Sequence, residues 1–315
     1  MEIYRTIENF LPLSSSVITM GSYDGLHRGH FQIINRVQTI ADSMRSDSIV
    51  ITFDPHPSHV IKKGFKNVKL IMSIDKKIEI FKTLSIDKLI ILEFNDNLMK
   101  INAKQFMDEI IVKYLKPRYI VAGSNHFFGH NRSGDSGFLT DYCDANKIGI
   151  EIVNPIADGS VIISSTNIRK LITNGYIRRA NYELGSIFGF NAKVVHGSGR
   201  GRGLKFPTAN LLPIEKKQLL PKKGVYFTRC IINGLTHYGM CNFGTRPTFE
   251  EDDLVLEVHL LNDYSEDLYN HIVWIEFLER IRSEVKFSSA NELTKQLFKD
   301  KSKCLELKDK YELGG

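Results

Sequence analysis

In the first half of the chain, apolar residues gather in short unbroken runs, and between the runs they recur at helical spacing. Val17-Ile18-Thr19-Met20 reads as a short buried strand; Phe31, Ile33, Ile34 and Val37 then share one face of a helix that reaches about residue 44. Asp47–Phe53 is a second buried strand, Ser73–Phe81 a helix with a serine cap, and Lys88–Phe94 a third strand. A helix over 102–115 carries Phe106, Ile110, Val112 and Leu115. A strand at Tyr119–Gly123, a helix near 136–146, a strand at Ile150–Val153 and short helices at Asn167–Thr173 and Gly175–Gly185 follow, while residues 1–12 read as an irregular or edge segment. Strands alternating with helices predict an α/β domain: a Rossmann-like parallel sheet with helices on both faces.

The pattern changes near residue 187. Short strands at Phe190–Val195, Gly224–Ile231, Thr236–Phe243, Leu254–Leu261 and His271–Phe277 are split by Gly and Pro turns, which predicts a compact antiparallel β-barrel. Ser289-Ala290-Asn291-Glu292 is a capping-box pattern opening a C-terminal helix, with Leu293, Leu297, Cys304 and Leu307 on or near one face. The expected division is 1–186 and 187–315, each long enough for its own core. No apolar run reaches membrane-spanning length, and no signal peptide is expected at the N-terminus. Four scattered cysteines without a CxxC pair fit buried or free thiols in a reducing cytoplasm. The net charge of +6 is spread along the chain rather than packed into tracts, and phosphate substrates account for it as well as nucleic acid would.

The chemistry concentrates at Met20-Gly21-Ser22-Tyr23-Asp24-Gly25-Leu26-His27-Arg28-Gly29-His30, where a strand runs through a glycine-rich turn into a helix. Gly21, Gly25 and Gly29 admit a close ligand, the helix start favours a phosphate, and His27 and His30 sit where that phosphate would lie. No neighbouring Cys or carboxylate set completes a metal site around the two histidines. Ile163-Ser164-Ser165-Thr166-Asn167-Ile168-Arg169 places three hydroxyls and an arginine at another helix start: a cap, an anion site, or both. His56 and Pro57 follow the second strand, and Asn125 and Phe128 lie in a polar–aromatic loop after the fourth. In the second half, Gly197-Ser198-Gly199-Arg200-Gly201-Arg202-Gly203 is a cationic glycine loop, and Thr208 and Asn210 offer oxygen ligands beside it. Alternation in Val255-Leu256-Glu257-Val258-His259-Leu260 puts Glu257 on the polar side of its strand.

The His-x-Gly-His turn followed by the Ser-Ser-Thr-x-x-Arg helix resembles the nucleotidylyltransferase superfamily. With Tyr23-Asp24-Gly25, Phe53-x-Pro55-His56-Pro57 and Gly123-x-Asn125-x-x-Phe128-Gly129, the first half resembles the adenylyltransferase part of bacterial bifunctional FAD synthetases. Phe206-Pro207-Thr208-Ala209-Asn210, Asn242-Phe243-Gly244-Thr245-Arg246-Pro247-Thr248 and Leu256-Glu257-Val258-His259 resemble their riboflavin kinase module. The resemblance implies riboflavin to FMN with ATP and Mg²⁺, then FMN to FAD with a second ATP. It implies catalytic roles for His27, His30, Ser164, Thr166, Arg169 and, as general base in a barrel cavity, Glu257. It puts ATP and its phosphates at Gly21, Ser22, Asp24, Gly25, Gly29, Ser165, Gly197, Gly199 and Arg202, flavin at His56, Pro57, Asn125, Phe128 and Arg282, and metal at Thr208 and Asn210. It calls for a cytoplasmic enzyme with small-molecule partners, and for neither nucleic acid nor membrane.

The chain departs from the family pattern at several positions. Tyr23 and His126 stand in place of a usual Phe, Lys205 of a Gly and Phe243 of an Ile, and Asn262-Asp263 adds a residue. Three alternatives stay open at this point: a FAD synthetase whose kinase half is weak or silent, a nucleotidylyltransferase for another acceptor, and a non-catalytic flavin- or RNA-binding protein.

Overall fold

The structure is a computed structural model that describes residues 1–7, 15–61, 68–159, 161–197, 206–247, 252–262 and 268–313. By internal contacts the chain divides into two compact units, Met1–Ser165 and Thr166–Gly315.

The first unit is built on a six-stranded parallel sheet. Its strands are β1 (Glu2–Tyr4), β2 (Ser16–Met20), β3 (Asp47–Asp54), β4 (Lys88–Glu93), β5 (Pro117–Gly123) and β6 (Gly149–Val153), in the order β1-β4-β3-β2-β5-β6. The unbroken apolar runs are explained by burial on both faces. Ile18, Ile49, Ile51, Ile90 and Ile120 join one core cluster, and Val17, Val50, Leu89, Ile91 and Val121, alternating with them, join clusters with other members. Between the strands run α1 (Arg28–Met44), α2 (Ile74–Thr83), α3 (Asp96–Lys100), α4 (Ala103–Gln105, continuing as a π-helix over Phe106–Leu115) and α5 (Ser136–Asn146). The serine cap on α2 is present, Ser73 Oγ accepting from Lys76 N at 3.3 Å. The edge segment at the N-terminus supplies β1, which pairs in parallel with β4.

The strand order reverses between β2 and β5, so the chain leaves these neighbouring strands at the same edge of the sheet. In open parallel sheets such a switch point is where ligands bind. The glycine-rich turn follows β2, the His56 turn follows β3, and the Asn125 loop follows β5.

The second unit is a closed antiparallel barrel of β9 (Gly189–Val195), β10 (Ala209–Pro213), β11 (Gly224–Ile232), β12 (Leu235–Pro247), β13 (Asp252–Leu260) and β14 (Ile272–Arg282). A two-stranded ribbon, β7 (Ala157–Asp158) and β8 (Val161–Ile162), precedes α6 (Ser165–Asn174), α7 (Ile177–Leu184) and the barrel. α7 was expected with the first domain, yet it is hydrogen-bonded to the barrel: Asn181 Nδ2 donates to Phe277 O at 2.9 Å, and Asn181 Oδ1 accepts from Phe188 N at 2.9 Å. Thus α7 lies on the barrel side of the contact division, whereas the expected boundary fell at 186/187. The sixth barrel strand, β10, lies within what reads from sequence as a metal-binding turn. Its five residues include Pro213 and carry too short an alternation to stand out.

Alternation gives the barrel two apolar faces. Cys230, Ile232, Val258 and Val273 line its interior, while Val225, Phe227, Tyr238 and Met240 face outward and pack with Cys304 and Leu307 of α8 (Ala290–Leu313). The α8 capping box forms with its return partner shifted by one residue: Glu292 N donates to Ser289 Oγ, and the Glu292 carboxylate accepts from Ser288 N and Oγ. Arg282 at the end of β14 donates from Nε and Nη2 to Asp300 at 2.7–3.0 Å, and Asp300 is 2% exposed. Asp300→Ala strands a largely buried guanidinium. It is expected to lower stability by about 3–5 kcal/mol in urea denaturation, and Asp300→Asn, which keeps an acceptor, by less.

Candidate functional site

The first site grows from the turn between β2 and α1. Tyr23 and Leu26 hold positive φ of 48° and 40° around Gly25 at 84°, so the chain reverses sharply before the helix. The turn is fastened by the Asp24 carboxylate, 2% exposed, which accepts from Ile71 N and Met72 N at 3.1 Å. The Asp24 carbonyl accepts from Ser165 Oγ at 2.9 Å. This one residue therefore joins the His-x-Gly-His turn to Ser165 of the Ser-Ser-Thr segment, 141 residues later in the chain.

His27 is the N-cap of α1, its carbonyl accepting from His30 N and Phe31 N. Its ring stacks on His30 with centroids 3.6 Å apart and planes 18° apart, and Tyr23 meets His30 edge-on at 5.1 Å. A Cβ at Gly29 would lie 3.3 Å from the His27 ring, so glycine there lets the imidazole lie flat against the helix start. His30 Nδ1 is buried without a hydrogen-bond partner among the described residues. Burial, with repulsion from His27 and Lys77, holds the His30 pKa well below the ordinary histidine value, so the ring is neutral at pH 7. The two stacked rings lie beside the N–H groups and the positive dipole end of α1, an environment that favours an anion.

The other predicted residues distribute as follows. Gly21 lies against the Tyr23 ring, and Ser22 gives its carbonyl to Lys77 Nζ at 3.0 Å. Ser164 and Ser165 are half-buried at the start of α6; Thr166 is exposed and Arg169 half-buried on the turn that follows. His56 caps a short 3₁₀ turn, its Nδ1 accepting from Ser58 N, and Pro57 is half-buried beside it. Asn125 is exposed. Phe128 packs into the core between Phe106 and Phe138, whereas Phe127 is 44% exposed with the Arg132 guanidinium 3.9 Å above its ring. His126 stacks on Phe128 at 5.5 Å, and burial lowers its pKa to about 4. From sequence Lys77 is no more than a residue of the Ser73–Phe81 helix. It is 4% exposed, and the visible hint was a lysine at the apolar spacing of α2 among Ile74, Ile78 and Phe81.

The second site lies on the outside of the barrel. Glu257 pairs in register with Asn210 of β10 and with Asn242 of β12, forming a polar row across three strands. Glu257 does not face the barrel interior, where the resemblance puts it. Leu256, Val258 and Leu260 take the inward positions, and the odd-numbered residues between them point outward. His259, next along that outer face, shares Nδ1···O contact with Pro207 at 2.9 Å and meets Phe206 edge-on. A Cβ at Gly197 would run into the Asn210 amide, so this glycine marks a close approach of the loop to the row. Thr208 is exposed at the near end of β10. Thr208, Asn210 and Glu257 supply hard oxygen donors of the kind Mg²⁺ takes, and no group of three or more His, Cys, Asp or Glu forms a cage among the described residues. A site with so few protein ligands suits an ion that keeps waters and shares phosphate oxygens. Arg282 is held by Asp300, and Gly199, Arg202 and Lys205 lie outside the described residues.

Residues 12–167 match the family model described as FAD synthetase, and residues 184–308 match the one described as riboflavin kinase. A Bacillus subtilis protein named bifunctional riboflavin kinase/FMN adenylyltransferase is 34% identical over 93% of this chain and 92% of its own length. The chain belongs to that bifunctional family. An Escherichia coli K12 member of the same name is 31% identical over 95% of this chain and 96% of its own. A crystal structure of a Streptococcus pneumoniae chain described as a macrolide-efflux protein superposes with TM-score 0.85 at 28% identity, covering 95% of this chain and 97% of that one. Among the described residues no helix is long and apolar enough to cross a membrane.

The fastening role of Asp24 can be separated from any contact with ligand. Asp24→Ala leaves the amides of Ile71 and Met72 buried without acceptors, and is expected to cost about 2–4 kcal/mol in urea denaturation, with Asp24→Asn costing less. Buried His126 is expected to make the first unit acid-sensitive. Its folded pKa lies below the unfolded value, so the unfolded state gains the proton first, and stability falls as pH drops from about 6.5 toward about 4. His126→Phe, the residue usual in the family, is expected to flatten that part of the Tm-against-pH curve.

Proposed function

We propose that this chain makes FAD in two steps, riboflavin kinase in the second unit and FMN adenylyltransferase in the first. The carrying observation is that the two family matches fall on the sheet and on the barrel, and the reading is supported by the His27–His30 stack and the Ser165–Asp24 hydrogen bond in the first and by the register of Asn210 with Glu257 in the second.

In adenylyl transfer an oxygen of the FMN phosphate bonds to the α-phosphorus of ATP. The bond from that phosphorus to the bridging oxygen breaks, and pyrophosphate leaves. No covalent enzyme intermediate is needed, so the protein's work is positioning and charge stabilisation. The backbone from Gly21 to Gly29, with Ser22 and Asp24 shaping it, cradles the triphosphate. His27 and His30 donate to the charge building on the α-phosphate, and Ser164, Ser165, Thr166 and Arg169 take the rest of the phosphate chain. His56, Pro57, Asn125 and Phe128 border the flavin.

In the kinase step Glu257 accepts the proton of the riboflavin 5′-hydroxyl as its oxygen attacks the γ-phosphorus of ATP, and ADP leaves. Thr208 and Asn210 would hold Mg²⁺, which when bound neutralises phosphate charge. Gly197, Gly199 and Arg202 form the phosphate loop, and Arg282, oriented by Asp300, borders the flavin. The substrates are small molecules, and the reading needs neither nucleic acid nor membrane. ATP-dependent flavin chemistry and four buried, unbridged cysteines suit the cytoplasm.

Separation of flavins by HPLC tests both assignments. With ATP and Mg²⁺, FAD is expected from riboflavin and from FMN. Glu257→Gln is expected to lower FMN formation from riboflavin by about 10²–10⁴-fold while leaving FMN to FAD intact, and His30→Ala to do the reverse. FAD from FMN alone would remove the kinase assignment. No FAD from either flavin would remove the adenylyltransferase assignment.

A further inference from the structure

A buried lysine bonded to the signature turn has no role in the proposed mechanism. Lys77, on α2, is 4% exposed, and its ammonium donates to the Ser22 carbonyl at 3.0 Å. The same carbonyl accepts from Thr52 Oγ1 at 3.3 Å, so it has a neutral donor already. Burying an ammonium is expensive, and a second neutral donor would hold the turn at less cost. The titratable groups around Lys77 are the carboxylates of Asp24 in the turn and Asp54 at the end of β3, and the neutral ring of His30 on α1, which stacks on His27. The Asp24 carboxylate is committed to the amides of Ile71 and Met72.

We propose that Lys77 is a positioning residue for adenylyl transfer. It fixes Ser22, and with it the turn that presents His27 and His30, and its ammonium stands near enough to the His30 ring to act on it electrostatically. The inference rests on the adenylyltransferase reading of the first unit. Three features agree with it. The residue is buried where a helix of this amphipathic pattern would carry an apolar side chain. Its hydrogen bond goes to the signature turn rather than to its own helix. Its charge also disfavours protonation of His30, so removing it raises the pH at which that ring gains a proton.

The test uses the full-length protein, with urea denaturation as the control for folding of the first unit and FMN formation from riboflavin as the control for the second. Lys77→Met is expected to lower FAD formation from FMN by about 10–100-fold, chiefly in kcat, with the kinase rate within about twofold of the parent. The acid limb of its pH profile is expected to move to higher pH. Lys77→Arg, which keeps the charge and a donor, is expected to recover most of the rate and leave the acid limb in place. Parent-like rates in Lys77→Met, or the same loss and an unmoved acid limb in both variants, would overturn the proposal. Should Lys77→Met lose both activities through misfolding, the acid limb of Lys77→Arg decides, and a shift there counts against it. A parent protein that makes no FAD from FMN would instead overturn the reading beneath, a result distinct from any change between parent and variant.

Discussion

A single buried carboxylate holds the first site together. Asp24 sits in a turn whose residues on both sides adopt left-handed backbone, a conformation that needs outside support. Its side chain takes two amides just ahead of α2, and its carbonyl takes the Ser165 hydroxyl at the start of α6. Three segments remote in sequence thereby meet at one edge of the sheet. The histidine stack, the Lys77 hydrogen bond and the hydroxyl cluster all depend on that convergence. The cost of burying the charge is offset by charge-assisted hydrogen bonds from backbone groups that would otherwise be buried unpaired.

The barrel follows a different logic. Its interior is lined mainly by apolar side chains among the described residues. The polar row of Asn210, Glu257 and Asn242 lies on the outer surface, where strands in register bring side chains within reach of one another. Part of that outer surface is apolar as well, and α8 covers it with Cys304 and Leu307, anchored by Arg282 and Asp300. A closed sheet has no edge to pair, so its outside is available for both a helix and a site.

Much of the fold was legible because its signals are local. Runs buried on both faces marked the parallel strands, helical spacing marked α1 and α2, and Ser73 and Ser289 marked helix starts. What stayed hidden was non-local. β10 is short and has meaning only between β9 and β13; α7 reads alike whichever unit it joins; and Phe127 and Phe128 are neighbours of one type with opposite fates. Alternation did put Glu257 on the polar side of β13, and the cavity implied by the family likeness was the part that failed.

The sequence by itself determined the order of the units, most of their elements, and the kinds of residue available for phosphate chemistry. Periodicity and turn residues are properties of adjacent positions, and two ordered motifs can be read without knowing where they meet. Only the tertiary structure decided that Ser165 reaches Asp24, that His30 is neutral against His27, that Lys77 turns inward under Ser22, and that Glu257 faces outward beside Asn210. The reason is physical. Burial, charge state and hydrogen-bond partner are set by what surrounds a side chain, and those surroundings come from segments far apart in the chain.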